Sequence, residues 1–135
     1  GRRSGSAGKG VKETFDRPED AYTFFEHLKG ESKEHFCAAF LNSKNGLISV
    51  KTIHIGTINL SVVGAREVFR EAVREGAASL IVAHNHPSGD PTPSDEDVAV
   101  TRRLVEAGKL LDIPLLDHVI IGDHRNVSLR REGVI

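Results

Sequence analysis

The stretch from residue 78 to residue 122 constrains this chain more than any other part. ASLIVAH (78–84) is an almost unbroken apolar run, short enough for a strand and without the polar alternation of a half-exposed one. Such a run reads as a strand buried on both faces. Three prolines and a glycine follow (Pro87, Gly89, Pro91, Pro93), a stiff connection with few available paths. Ser94 then opens a helix predicted to reach about Leu111, with Val98, Thr101, Leu104, Val105 and Leu111 on its inner face. Ser94-Asp95-Glu96-Asp97 has capping-box spacing, with Asp97 as a shorter stand-in for the usual Glu. Pro114 stops the helix, and LLDHVIIG (115–122) reads as a second strand. Buried strands alternating with helices need cover on both sides, which predicts an α/β domain with a mixed sheet sandwiched by helices.

The remaining segments fit the same plan. Asp16 is placed to cap a first helix, with Pro18 in its first turn and Gly30 just past its end. Ala21, Phe24, Phe25 and Leu28 lie on one face of that helix. EHFCAAFL (34–41) is a compact apolar segment, and Asn45-Gly46 after it is a strong hairpin turn signal. LISVKTIHIGTINLSVV (47–63) reads as β-rich, with Gly56 as a bend or bulge. A second helix is expected from Ala65 to about Glu75, closed by Gly76, with Val68, Phe69, Ala72 and Val73 sharing its inner face. NVSLRR (126–131) is the last expected strand.

Composition narrows the function classes. With 135 residues and 39% apolar content, one domain with a modest core is expected. Residues 1–12 read as a flexible linker or a remnant of expression, and residues 13–135 as the folded domain. The missing initiator methionine suggests one domain of a larger protein. The first twelve residues hold four basic side chains and no acid, so the remainder sums to −5. A surface of that balance is a poor general binder of nucleic-acid phosphates. The single Cys37 rules out an internal disulfide and reads as a core thiol. No apolar stretch approaches the ~20 residues of a membrane span, and no signal peptide is visible, so a soluble, cytoplasmic domain is expected.

The chemistry concentrates in HNHPSGDPTPSDED (84–97). His84 and His86, two apart at a strand end, project to the same side. The proline-rich loop brings Asp97 back in the first turn of the next helix. Two neutral imidazoles and a carboxylate are a standard zinc ligand set, leaving a fourth position open as in catalytic sites. On the residues alone, the alternative is a pair of surface histidines beside an ordinary helix cap. Ser94 already has a structural role as that cap. A zinc deaminase is excluded, because its Pro-Cys-x-x-Cys ligand pair needs two cysteines.

The segment follows H-x-H-x7-S-x2-D, and in this it resembles the JAMM (MPN+) metalloprotease signature. Together with LNSKNG, LLDHVIIG and SLRREG, the HNHPSG wording resembles the RadC family over about residues 31–135. The resemblance implies a cytidine-deaminase-like three-layer α/β sandwich. It also implies one zinc ion held by His84, His86 and Asp97, with the Ser94 hydroxyl holding a substrate carbonyl oxygen. Related enzymes carry a catalytic Glu about as far upstream of the first histidine as Glu34 lies from His84, which makes Glu34 the general-base candidate. Glu67 is its rival, in Gly64-Ala65-Arg66-Glu67, where the family pattern runs closer to His-Pro-Arg-Glu. Asp117-His118 matches the family wording and is assigned no catalysis.

Three readings of function follow. The first is a zinc-dependent hydrolase of peptide or isopeptide bonds acting on a peptide or protein substrate. The second is a DNA repair-associated module, with DNA contact supplied by an N-terminal helix-hairpin-helix region that such proteins carry. The third is a zinc-bearing scaffold without turnover.

Overall fold

The computed structural model describes residues 13–135; the linker expected at 1–12 lies outside the described residues. The elements follow in the order α1 (Pro18–Phe24), β1 (His35–Leu41), β2 (Leu47–Ile55), α2 (Ala65–Arg74), β3 (Ser79–Asn85), α3 (Asp95–Leu111), β4 (Leu115–Ile121) and β5 (Asn126–Ser128). The five strands form one sheet in the order β2-β1-β3-β4-β5. Only β3 and β4 run parallel, joined by α3 as a crossover; the other pairs are antiparallel. This is the mixed sheet expected from the chain's alternation.

Strand pleating assigns the two faces. Phe36, Ala38 and Phe40 of β1 with Leu80 and Val82 of β3 point to one side, where Val68, Phe69 and Ala72 of α2 and Val100 and Leu104 of α3 cover them. Cys37, Ala39, Leu41, Ile81 and Ala83 point to the other, under Ala21 from α1 and Phe25 and Leu28 just beyond it. The result is three layers, helix on sheet on helices, with β3 fully buried along its length. Among the described residues no helix is long and apolar enough to cross a membrane.

Several boundaries differ from the sequence expectation, each for a local reason. Arg17, not Asp16, holds the cap position of α1, and the Asp20 carboxylate reaches back to accept from both the Asp16 and Arg17 N–H groups. The β-rich run stops at Ile55, because Gly56 takes a φ of +128° that turns the chain out of the sheet. Residues 57–63 form a loop that folds back and buries Ile58 and Val63 against the α2 side of the core. Val73 is 62% exposed rather than buried, since α2 rests on the narrower stripe of Val68, Phe69 and Ala72. Leu111 is half exposed at the free end of α3, whose buried stripe runs instead through Asp97, Val100, Thr101, Leu104 and Gly108. The Asn45-Gly46 hairpin forms as the sequence predicts, with Asn45 at φ +63°. The last strand is shorter than expected, ending at Ser128 before a turn.

Candidate metal centre

The site assembles where β3 ends. His84 is the penultimate residue of that strand and is fully buried; His86 lies just beyond it and is partly exposed. α3 begins beside them, and its capping box is complete. Ser94 Oγ accepts from the Asp97 N–H at 3.0 Å, and Asp97 Oδ2 accepts from the Ser94 N–H at 2.9 Å. This reciprocal cap fixes the Asp97 carboxylate, with Oδ1 3.2 Å from His84 Nε2 and Oδ2 3.0 Å from His86 Nε2. Glu34 stands just before β1, and its carboxylate, the His84 ring and the His86 ring offer donor atoms within 4.8 Å of one another. The structure therefore brings Glu34, His84, His86, Ser94 and Asp97 to one place.

Electrostatics distinguishes these groups. Burial works against ionisation of Asp97, but the two imidazoles, whenever they carry a proton on Nε2, and the Ser94 N–H outweigh it and hold the carboxyl well below its usual range. Asp97 in turn raises the pKa of His86. Glu34 moves upward, chiefly through partial burial and secondarily through Asp97, while the two imidazoles pull the other way. A carboxylate with a raised pKa is suited to taking and returning a proton near neutrality.

The donor set also passes a test of fit for a cation. A backbone carbonyl can only accept, so the 2.8 Å contact between His86 Nδ1 and the Asp90 carbonyl places a proton on Nδ1. In the neutral ring the Nε2 lone pair then faces Asp97. His84 Nε2 is buried and forms no hydrogen bond, despite lying near Asp97 Oδ1. Ring nitrogens converging on a carboxylate leave a site short of positive charge. A proton on His86 relieves this in part; a divalent metal relieves it fully.

Above these residues opens a cleft of about 460 Å³. Glu34, His86, Ser94, Glu96 and Asp97 line it together with Thr57, Ile58 and Asn59. The loop that replaces the expected strand at 57–63 thus supplies a wall of the cleft. Glu67 is not one of these lining residues; it forms an ion pair with Arg66 at 3.5 Å at the start of α2.

Two residues to which the sequence assigned no part in the site belong to its surroundings. Asn85, between the two histidines, points to the opposite face. Its Oδ1 accepts from the His35 N–H at 2.7 Å and its Nδ2 donates to the Lys33 carbonyl at 3.0 Å, clamping the backbone on both sides of Glu34. His118 of β4 is fully buried beside His84. Its Nε2 lies 2.8 Å from His84 Nδ1, and its Nδ1 lies 2.6 Å from Thr101 Oγ1. Burial, then the neighbouring His84, keep His118 well below the usual imidazole pKa and hence neutral. The adjacent polar pair Asp117-His118 in the otherwise apolar run LLDHVIIG is the sequence signal for it. Its partner, however, emerges only from the parallel register that sets Val82 beside His118 and His84 beside Ile120.

Fold and site together define a class: a mixed-sheet α/β domain carrying a histidine–carboxylate cleft at the end of a buried strand. The comparisons name the family within that class. A family model described as the RadC-like JAB domain matches residues 15–134. A UPF0758 protein of Caldanaerobacter subterraneus subsp. tengcongensis is 52% identical over 134 residues, covering 98% of this chain and 58% of that protein. A UPF0758 protein of Bacillus cereus is 55% identical over 119 residues (87% and 53%), and one of Geobacillus thermodenitrificans 48% identical over 136 residues (100% and 60%). The chain spans somewhat more than half the length of these curated relatives. It belongs to the RadC-like JAB-domain family.

Proposed function

We propose that this domain is a zinc-dependent hydrolase that cleaves peptide or isopeptide bonds. The observation that carries the reading is the convergence of Glu34, His84 and His86 within 4.8 Å at an open cleft, with the Asp97 carboxylate against both rings. His84, His86 and Asp97 would hold the metal, because their ring nitrogens and carboxylate face one another and the His84 nitrogen has no other partner. Zinc held there supplies Lewis acidity, lowering the pKa of a water to about 7 and polarising a carbonyl oxygen.

The chain's own groups divide the remaining work. Glu34, its backbone clamped by Asn85, takes the proton of the attacking water on a carboxylate oxygen and returns it to the departing amine. Ser94 Oγ already accepts the Asp97 N–H, which leaves its hydroxyl proton free to donate to the substrate carbonyl oxygen where negative charge develops. A cleft of about 460 Å³ admits a short stretch of chain. The carboxylates of Glu34, Glu96 and Asp97 along it disfavour a phosphate backbone, which places the peptide reading ahead of direct action on DNA.

The test is purified protein loaded with zinc against a broad peptide and isopeptide library. Hydrolysis by the wild type, lost in both Glu34→Gln and His84→Ala, is the expected result. The reading fails if the metal-loaded wild type cleaves nothing, or if Glu34→Gln cleaves at the wild-type rate.

A further inference from the structure

We infer that Thr101 and His118 form a proton relay that locks His84 in the tautomer whose Nε2 lone pair faces the metal site; the metal half of this inference rests on the zinc reading above. The relay can be followed proton by proton. The Asp97 carbonyl oxygen lies 2.8 Å from Thr101 Oγ1 and can only accept, so the threonine proton points to it. With its one proton committed, Oγ1 must accept from His118 Nδ1 across 2.6 Å. His118 is buried, with no carboxylate on either ring nitrogen, so it is neutral and its Nε2 carries a lone pair. His84 Nδ1, 2.8 Å away, must then be the donor. In the neutral His84 ring the last lone pair then falls on Nε2.

An independent feature agrees with that assignment. Nε2 is buried, sits 3.2 Å from Asp97 Oδ1, and still forms no hydrogen bond. A proton on Nε2 would therefore find no well-aligned acceptor, and no hydrogen bond in the structure holds one there. The ring planes are also set by packing, with Phe36 stacked on His84 at 6.0 Å and edge-on to His118 at 5.5 Å. The chain begins at the Asp97 backbone, so one turn of α3 fixes both a ligand carboxylate and, through two side chains, the protonation pattern of a ligand imidazole. Thr101 and His118 are positioning residues and touch no substrate. Outer partners of this kind are generally worth 10- to 100-fold in metal affinity.

The experiment reads the tautomer directly and does not depend on turnover. Long-range proton–nitrogen correlation spectra of the whole metal-free chain at about pH 8, above the ordinary imidazole pKa near 6.5, report which ring nitrogen of each histidine bears hydrogen. Wild type is expected to show His84 and His118 both protonated at Nδ1. Thr101→Val keeps the side-chain shape but removes the acceptor for His118, freeing it to protonate at Nε2 and drive His84 to the Nε2–H form. That variant should bind zinc 10- to 100-fold more weakly with its fold intact by circular dichroism, while Thr101→Ser restores both spectrum and affinity. An Nε2–H His84 in the wild type overturns the relay, as does a Thr101→Val protein with wild-type tautomer and zinc affinity. A wild type that takes up no zinc but shows Nδ1–H on both rings supports the relay and overturns the metal reading.

Discussion

Replacing Ser94 separates what the residue does for the fold from what it does for chemistry. In Ser94→Ala the Asp97 N–H loses its acceptor at 3.0 Å, but the other arm of the capping box, Ser94 N–H to Asp97 Oδ2, is a backbone donor and survives. Only one of two reciprocal bonds is lost, so the cost belongs at the middle of the range for N-cap removal, about 1 kcal/mol. For a domain of this size that lowers Tm by about 4 °C. Ser94→Asn supplies an amide oxygen in place of the hydroxyl. It ranks with serine as a cap and should return stability to within a few tenths of a kcal/mol of wild type. Urea titration monitored by circular dichroism measures both, with the transition slope checked for constancy. Under the proposed function, peptide hydrolysis should fall in Ser94→Ala by more than its stability loss explains, because the proposed hydroxyl donor to the carbonyl oxygen would be gone. An alanine variant as stable as wild type, or an asparagine variant as unstable as alanine, would refute the capping argument.

Two further predictions concern the scaffold. Arg131 forks onto Glu19 across the surface and lowers the glutamate pKa from 4.5 to about 2, chiefly through the direct hydrogen bond. A depressed carboxylate stabilises the fold above its unfolded pKa and loses that contribution as pH falls through the folded value. The stability gap between wild type and Arg131→Gln should therefore be constant above about pH 5 and shrink as pH falls to 2. It should also be small and sensitive to salt, because both side chains are exposed; a gap that widens on acidification rejects the pairing. Gly108→Ala should destabilise the protein although alanine is favoured over glycine in helices by about 1 kcal/mol. A Cβ there would lie 2.6 Å from the Ile113 carbonyl oxygen, at the point where the chain leaves α3 for β4. A rise in the urea midpoint would show that this close approach does not matter.

Much of the architecture was legible because local and tertiary preferences agree. From Ser79 onward ASLIVAH lies in a strand buried at every position, Asn45-Gly46 makes the hairpin, and Ser94 and Asp97 close the capping box their spacing announces. The misread parts are those where tertiary packing overrides a local preference. Residues 57–63 are rich in β-formers, yet Ile58 and Val63 are drawn into the core beside α2. Val73 and Leu111 continue an apolar pattern past the area the sheet can cover. At the site, the candidate ligands share one stretch of sequence, and Glu34 was marked by resemblance. His118 and Thr101 carry no spacing signal, since their relation to His84 exists only once β4 lies beside β3 and α3 packs across both. Asn85 was hidden differently: strand alternation turns it away from its neighbouring histidines, toward the backbone around Glu34.

Metal content is the most direct measurement of the central claim. Elemental analysis after zinc loading and exhaustive desalting, with calorimetric titration of the metal-free protein, counts the sites and gives the affinity. One zinc per chain in the wild type, sharply weakened in His84→Ala, His86→Ala and Asp97→Ala proteins that remain folded, is the predicted result. A wild type that retains no zinc and shows no saturable uptake would contradict the claim.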